Sequence, residues 1–164
     1  MLDLTIAQNR GVRLVPLTAL AQAQKIPAGF LEQILLRLRQ GGFLQSTRGK
    51  NGGYSLARPP GEIRMGELTR FLDGPLTLLP CGIPGGEKQC SCPDVARCGI
   101  RTLMQRAAGA LCGVLDGCTL EELARQTLDV FEHDGVAPSI LEAVYAGSGK
   151  KRQSRQGTEP EYWI

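Results

Sequence analysis

The chain has 164 residues, of which 42% are apolar and only 5% aromatic, so it can form one packed core rich in aliphatic side chains. The net charge of +3 is unevenly distributed. Residues 1–60 contain eight basic and two acidic residues, whereas residues 61–149 contain seven basic and twelve acidic residues. This asymmetry indicates a basic binding face in the N-terminal part rather than a generally basic protein.

The sequence lacks the marks of secreted and membrane proteins. Asp3, Asn9 and Arg10 interrupt any apolar segment near the start. No segment approaches the roughly 18 apolar residues of a membrane-spanning helix. We therefore expect a cytoplasmic protein without membrane partners. In that compartment, six cysteines indicate metal binding or thiol chemistry rather than a disulfide framework.

Residues 1–42 predict a helix-turn-helix. Met1–Gln8 has helical character, Pro16–Gln24 predicts a second helix, and Pro27 opens a third that ends at Gly41-Gly42. The third helix has an apolar stripe at helical spacing, formed by Leu31, Ile34, Leu35 and Leu38. Its other face is polar, with residue types that read DNA bases or bind phosphates: Glu32, Gln33, Arg37 and Arg39.

A short β-hairpin is predicted next. Phe43–Ser46 and Tyr54–Leu56 read as strands around a basic turn rich in glycine. Directly after a helix-turn-helix, such a hairpin is a wing, and its Arg48 and Lys50 are placed to reach phosphates or the minor groove. The expected fold class is mainly α, a winged helix-turn-helix with a small β-hairpin wing and a long dimerisation helix.

The second half of the chain predicts further helices around a loop. Met65–Leu72 is a fourth helix, and a long helix from about Asp94 to Leu115 has an apolar stripe suited to pairing two subunits. Thr119–Glu122 is a capping box that starts a last helix, to about Phe131. The predicted divisions are a DNA-binding domain (1–73), a cysteine-rich loop (74–98), two helices (94–131) and a disordered basic tail (147–164).

Four cysteines lie within eighteen residues, at positions 81, 90, 92 and 98. Thiolates bind iron–sulfur clusters and soft metals, and they also form tetrahedral zinc sites or act as bare redox thiols. Cys112 and Cys118 lie outside this region and are expected to be small buried side chains. The single histidine, His133, is expected on the surface.

Two sequence blocks carry a family resemblance: Phe30–Leu35 (FLEQIL) and Arg48–Pro59 (RGKNGGYSLARP). With Met65-Gly66-Glu67 and Asp73–Leu76 at the same mutual spacing, the chain resembles the Rrf family of bacterial regulators over roughly residues 1–130. That group contains IscR, NsrR and CymR. The resemblance implies that the third helix enters the major groove, that Arg48 reaches the minor groove and that the long helix pairs two subunits.

The resemblance also implies that Gly29, Glu32 and Gln33 are the base-reading positions. Side-chain chemistry agrees for two of them, since glutamine reads adenine through two hydrogen bonds and glutamate accepts one from cytosine N4. Gly29 can contribute only its backbone. Three residues suit phosphate contacts, although a solvated helix face explains the two helical arginines equally well: Arg37, Arg39 and Lys50.

For the cysteines, the resemblance implies an iron–sulfur cluster, [2Fe–2S] or [4Fe–4S], held by Cys81, Cys92 and Cys98, with Cys90 as an alternative ligand. Arg101 stands where IscR has a histidine. The fourth ligand is therefore open between Cys90, Asp94, Glu87 and a small molecule. Zinc is the less favoured occupant.

These observations predict a homodimeric transcriptional regulator that binds a pseudo-palindromic double-stranded DNA operator. It would sense iron–sulfur status, redox state or nitric oxide through the cluster. The alternative is a regulator of the same fold without a cluster, controlled by thiol oxidation or by a partner protein, as in the CymR branch. The sequence has no nucleotide-binding glycine motif and no CxxC pair, so we do not expect an enzyme.

Overall fold

The computed structural model describes residues 1–49, 51–83 and 86–148, and the chain divides into two compact units. The first unit comprises Met1–Ala57 and the chain from Leu123 onwards, and the second comprises Arg58–Glu122. This division differs from the boundary at residue 73 that the sequence suggested. Within the described ranges, no helix is long and apolar enough to cross a membrane.

The first unit is built from helices around a two-stranded sheet. Its elements are α1 (Leu2–Asn9), α2 (Leu17–Gln24), α3 (Ala28–Gln40), β1 (Leu44–Thr47), β2 (Gly53–Leu56), α6 (Leu120–His133) and α7 (Ser139–Ser148). Of α6, only the part from Leu123 onwards belongs to this unit. The α7 helix, which the sequence did not predict, packs against α1 and α2 and buries Ile140, Leu141 and Ala143. It includes the first two residues of the predicted tail, whereas residues 149–164 lie outside the described residues.

The helix-turn-helix forms as predicted. The α2 helix ends where Lys25 adopts a left-handed backbone conformation (φ 53°), and α3 begins directly after Pro27. A buried row of three leucines fixes α3 on the core: Leu31, Leu35 and Leu38. Gly42 (φ 74°) ends α3, and the next amide, of Phe43, donates to the Leu38 carbonyl at 3.0 Å.

The wing strands pair antiparallel, from Leu44 opposite Leu56 to Thr47 opposite Gly53. Val15 adds a bridge to the hairpin, because its amide donates to the Tyr54 carbonyl at 3.0 Å and its carbonyl accepts from the Tyr54 amide at 2.9 Å. A Cβ atom on Gly53 would stand 2.6 Å from the Val15 carbonyl oxygen. Gly53, the first residue of β2, therefore permits the close approach of these two segments.

The second unit contains α4 (Met65–Asp73), short 3₁₀ turns, α5 (Gly99–Gly117) and the first residues of α6. The predicted start of the long helix at Asp94 is wrong. Val95–Arg97 forms a separate 3₁₀ turn, and Cys98 has an extended backbone (φ −74°, ψ 111°) that delays the helix to Gly99. The helix ends at Gly117, two residues beyond the predicted end.

Two connections hold this unit together. The Leu120 amide donates to the Ile63 carbonyl at 2.9 Å, and both side chains are buried. The α4 and α5 helices are joined by Arg70 and Asp116, whose two Nη–Oδ distances are 2.7 and 3.1 Å.

The predicted capping box at the start of α6 is confirmed. The Glu122 amide donates to Thr119 Oγ1 at 3.1 Å, and the Thr119 amide donates to Glu122 Oε2 at 2.9 Å. The side chains thus satisfy two amides that the first turn of a helix leaves without partners.

Candidate nucleic-acid interface and cysteine loop

The solvent-facing side of α3 carries the residues predicted to read bases. Gly29, Glu32 and Gln33 are all exposed and lie outside the face that the three buried leucines occupy. The helix period of 3.6 residues produces this arrangement, since positions three and four apart share a face. The packing of α3 therefore leaves the glutamate and the glutamine available to an external ligand.

The predicted phosphate-binding residues differ in their surroundings. Arg39 Nη1 donates to Ser46 Oγ at 3.1 Å and so links α3 to β1. Arg37 is exposed on α3, and Arg48 is exposed immediately after β1. The predicted contact Lys50 lies outside the described residues.

A cleft of about 640 Å³ separates α3 from the wing. It is lined by the first turn of α2, by the outer face of α3 and by the β1–β2 turn, including Thr18, Glu32, Gln33, Leu36 and Arg48. Glu32 and Gln33, predicted to read bases, thus lie on one wall and Arg48 on the other. This arrangement suits the edge and the backbone of one nucleic-acid duplex.

Two apolar side chains on the same outer face were not predicted as surface residues from the sequence. Phe30 is 63% exposed and Leu36 is 36% exposed, although both are large hydrophobic residues. The sequence did contain a signal for their exposure, because both residues lie outside the apolar stripe of α3.

The cysteine loop is built from short turns that end at α5. Cys81 lies in a 3₁₀ turn (Pro80–Gly82), Cys90 follows a second turn (Gly86–Gln89), and Cys98 directly precedes α5. Cys92 is exposed, and the other three are partly buried. The described cysteines are all free thiols.

Cys90 and Cys92 are influenced by neighbouring groups of the loop. Hydrogen bonds from the backbone and the side chain of Cys92 lower the pKa of Cys90, with smaller contributions from the Cys81 thiol and the Arg101 charge. The hydrogen bond to Cys90 raises the pKa of Cys92, and Cys98 and Cys81 add to that effect. Cys90 was predicted from the sequence as an alternative ligand. In the structure, its thiol is within hydrogen-bonding reach of the Cys92 thiol.

Two side chains of α5 hold the first cysteine turn. Arg101 Nε donates to the Cys81 carbonyl at 2.7 Å, and Gln105 Nε2 donates to the Gly82 carbonyl at 3.0 Å. Residues four apart lie on the same face of a helix, so the pair binds two consecutive carbonyls. Arg101 therefore positions the loop, whereas its own side chain is not a metal ligand.

The donor set of the loop fits an iron–sulfur cluster, since its four cysteines are free thiols and proteins hold such clusters through cysteine thiolates. Within the described ranges, however, no three His, Cys, Asp or Glu side chains form a group arranged to hold a metal ion. The ligands predicted from the sequence, Cys81, Cys92 and Cys98, thus share a loop without forming a preassembled site.

Two further cysteines and the single histidine lie outside the cysteine loop. Cys112 is partly buried beside the Arg70–Asp116 pair, and the partly buried Cys118 donates weakly to the Thr119 carbonyl at 3.5 Å. His133 is exposed, as predicted.

Comparison with known proteins identifies the family. The Rrf2 family model, described as an iron-dependent transcriptional regulator, matches residues 1–126. An Rrf2-like helix-turn-helix transcriptional regulator from Rhodobacter capsulatus is 40% identical over 98 residues, which are 59% of this chain and 65% of that protein. The chain thus spans just under two thirds of that relative. IscR from Cronobacter sakazakii is 33% identical over 132 residues, covering 79% of this chain and 77% of that protein.

A solved structure of a regulator is also similar to this chain. CymR, the global cysteine regulator of B. subtilis, superposes with a TM-score of 0.61 at 30% identity, covering 76% of this chain and 87% of that chain. This likeness confirms the predicted mainly α winged-helix fold. The relatives are transcriptional regulators, in agreement with the prediction that the chain is not an enzyme. The chain therefore belongs to the Rrf2 family of transcriptional regulators.

Proposed function

We propose that this regulator binds a pseudo-palindromic DNA operator as a homodimer and receives its signal at the cysteine loop. The observation that carries the proposal is the outer face of α3, where Glu32 and Gln33 are exposed across a cleft from Arg48. Glutamine and glutamate are suited to adenine and cytosine edges in the major groove, and arginine is suited to a phosphate or a minor groove.

The apolar face of α5 supports the dimer. No residue of this 19-residue helix is buried in the isolated chain, and large apolar side chains are exposed along it: Ile100, Leu103, Leu111 and Val114. A second copy of α5 is the partner that this stripe fits, because Ala107, Ala108 and Gly109 permit two helices to approach closely. In a helix-turn-helix dimer, the two half-sites lie about one helical turn of DNA apart, roughly 34 Å.

Cys81, Cys92 and Cys98, with Cys90 as the alternative, would hold an iron–sulfur cluster in the loop. When bound, such a cluster supplies reversible one-electron chemistry and reactivity toward nitric oxide. Arg101 and Gln105 tie the Cys81 turn to α5, so a rearrangement of the loop acts directly on the proposed dimerisation helix. This linkage supports a role for the loop in regulation.

The second candidate is a regulator of the same fold without a cluster, controlled by thiol oxidation or by a partner protein. The structural likeness to CymR favours it. In that case the interacting pair Cys90 and Cys92 would be the responsive thiols.

The deciding experiment is an anaerobic absorption spectrum with iron and sulfide analysis. It compares the wild type with a variant carrying Cys81→Ser, Cys92→Ser and Cys98→Ser. The matched control carries Cys112→Ser and Cys118→Ser. We expect visible bands with matching iron and sulfide in the wild type and in the control, and their loss in the triple variant. A colourless, iron-free protein that still binds DNA would support the second candidate.

A further inference from the structure

The recognition helix presents two large apolar side chains to solvent. Phe30 is 63% exposed and Leu36 is 36% exposed, whereas Leu35 of the same helix is only 3% exposed. Single exposed apolar residues are common on protein surfaces, so exposure alone decides nothing. The positions of these two residues relative to Gln33 are more informative.

Phe30, Gln33 and Leu36 follow one another at intervals of three residues, within 9 Å or so along the helix axis. At about 100° of rotation per residue, Phe30 and Leu36 lie roughly 60° to either side of Gln33. The outer face of α3 therefore has an amide group at its centre and an apolar group on each flank. Leu36 also lines the cleft that separates α3 from the wing.

The surroundings indicate what covers these apolar groups. Arg39 and Arg48 line the same cleft as Leu36, and Arg37 is exposed on the same helix, so a polyanionic occupant suits this face. In the major groove of DNA, the apolar group that a side chain can contact is the 5-methyl group of thymine. An A·T pair offers an adenine edge for Gln33 and a methyl group for an apolar neighbour.

We infer that Phe30 and Leu36 are specificity-determining residues that contact thymine 5-methyl groups on either side of the base pair read by Gln33. This inference rests on the proposed DNA binding through α3 and extends it to a base preference. The half-site recognised by α3 is accordingly rich in A·T pairs around the position that Gln33 reads.

The test removes the methyl group rather than the base pair. A duplex enriched by the wild-type protein from a random pool is resynthesised with deoxyuridine replacing each thymidine of one half-site in turn. Affinities are measured for the wild type, Phe30→Ala, Phe30→Leu, Leu36→Ala and the matched control Val130→Ala, whose valine is 61% exposed on α6. Since Phe30 is exposed, its replacement leaves the core of the unit unchanged.

At the contacted thymine, loss of the methyl group should weaken wild-type binding about fourfold, as expected for one buried methyl-sized group. Phe30→Ala should bind the thymidine and deoxyuridine duplexes equally, Phe30→Leu should regain part of the difference, and Val130→Ala should behave as the wild type. Leu36→Ala should abolish the response at a different thymine.

Equal wild-type affinity for all deoxyuridine duplexes would overturn the inference and leave DNA binding intact. A methyl effect that persists unchanged in both Phe30→Ala and Leu36→Ala would also overturn it, because the methyl group would then be read by other residues. Failure to enrich any duplex from the pool would refute both the inference and the proposed function.

Discussion

The proposed DNA contacts assign separable roles to single side chains on α3 and in the wing. Gln33 faces outward from a helix whose opposite face is buried, so it can contribute to base discrimination without contributing to the core. The basic residue Lys50 of the wing motif has no such geometric selectivity, since an ammonium group binds any phosphate. The two residues therefore predict different responses to substitution.

Gln33→Ala should reduce discrimination between the preferred and a mismatched duplex by about 1–3 kcal/mol, the contribution of a two-hydrogen-bond contact to a base. Lys50→Ala should weaken binding to both duplexes alike and reduce the salt dependence of the affinity. Competition titrations at several salt concentrations measure both effects. Equal losses on preferred and random DNA for Gln33→Ala would contradict its assignment as a base-reading residue.

The lack of a side chain at Gly53 permits the wing to pack closely against Val15. Gly53→Ala would place a methyl group 2.6 Å from the Val15 carbonyl oxygen, a contact with backbone that cannot rotate away. We expect a loss of about 1–3 kcal/mol in the free energy of unfolding, as for other overpacked sites. Urea denaturation without DNA measures it. Gly29→Ala is the control, because the space around that position is open, and its stability should not fall.

At the scale of elements, the amphipathic pattern was the reliable signal. It predicted the bounds of α3 and α4 almost to the residue. Glycine and capping signals predicted the wing and the start of α6. It did not give α7, whose ten residues carry a short apolar cluster that only packing on α1 and α2 stabilises. Nor did it give the start of α5, because the apolar stripe does not report the extended backbone of Cys98.

The cysteine loop shows a different limit of sequence reasoning. Spacing identified four chemically suitable thiols, but their pairwise arrangement depends on the turns between them. The contacts from Arg101 and Gln105 to the loop join positions about twenty residues apart in the chain. No local periodicity encodes such contacts, so the sequence predicted the donor set and not its geometry.

The contact between α4 and α5 has a predictable pH dependence. The hydrogen bonds from Arg70 lower the pKa of Asp116, so the folded state favours the ionised carboxylate. Its stabilisation is fully present above the ordinary aspartate pKa of about 3.9 and is lost as the pH falls through the lower value of the folded state. Asp116→Asn should therefore destabilise the protein at neutral pH and have little effect in strong acid.

Denaturant titrations across this pH range test the prediction, with Asp129→Asn as a control on an exposed aspartate of α6. Both partners of the Arg70–Asp116 pair are more than 40% exposed, so the difference at neutral pH should shrink in high salt. A pH-independent difference would show that Asp116 acts through packing rather than through its charge.

At the scale of the whole molecule, the DNA-binding face and the cysteine loop belong to different units, and α5 lies with the loop. Dimerisation through α5 therefore predicts that a substitution on that helix affects operator binding without touching the DNA-reading residues. Val114 is 71% exposed on α5, and a carboxylate there would have to be desolvated in the interface, at a cost of several kcal/mol.

Val114→Glu should accordingly be monomeric at concentrations where the wild type is a dimer in sedimentation equilibrium. Val130→Glu places the same charge at a 61% exposed position of α6 and should remain dimeric. On DNA, Val114→Glu should lose the advantage of two correctly spaced half-sites and bind a full operator little better than a single half-site. A Val114→Glu protein that stays dimeric and keeps its preference for the full operator would place the subunit interface away from this part of α5.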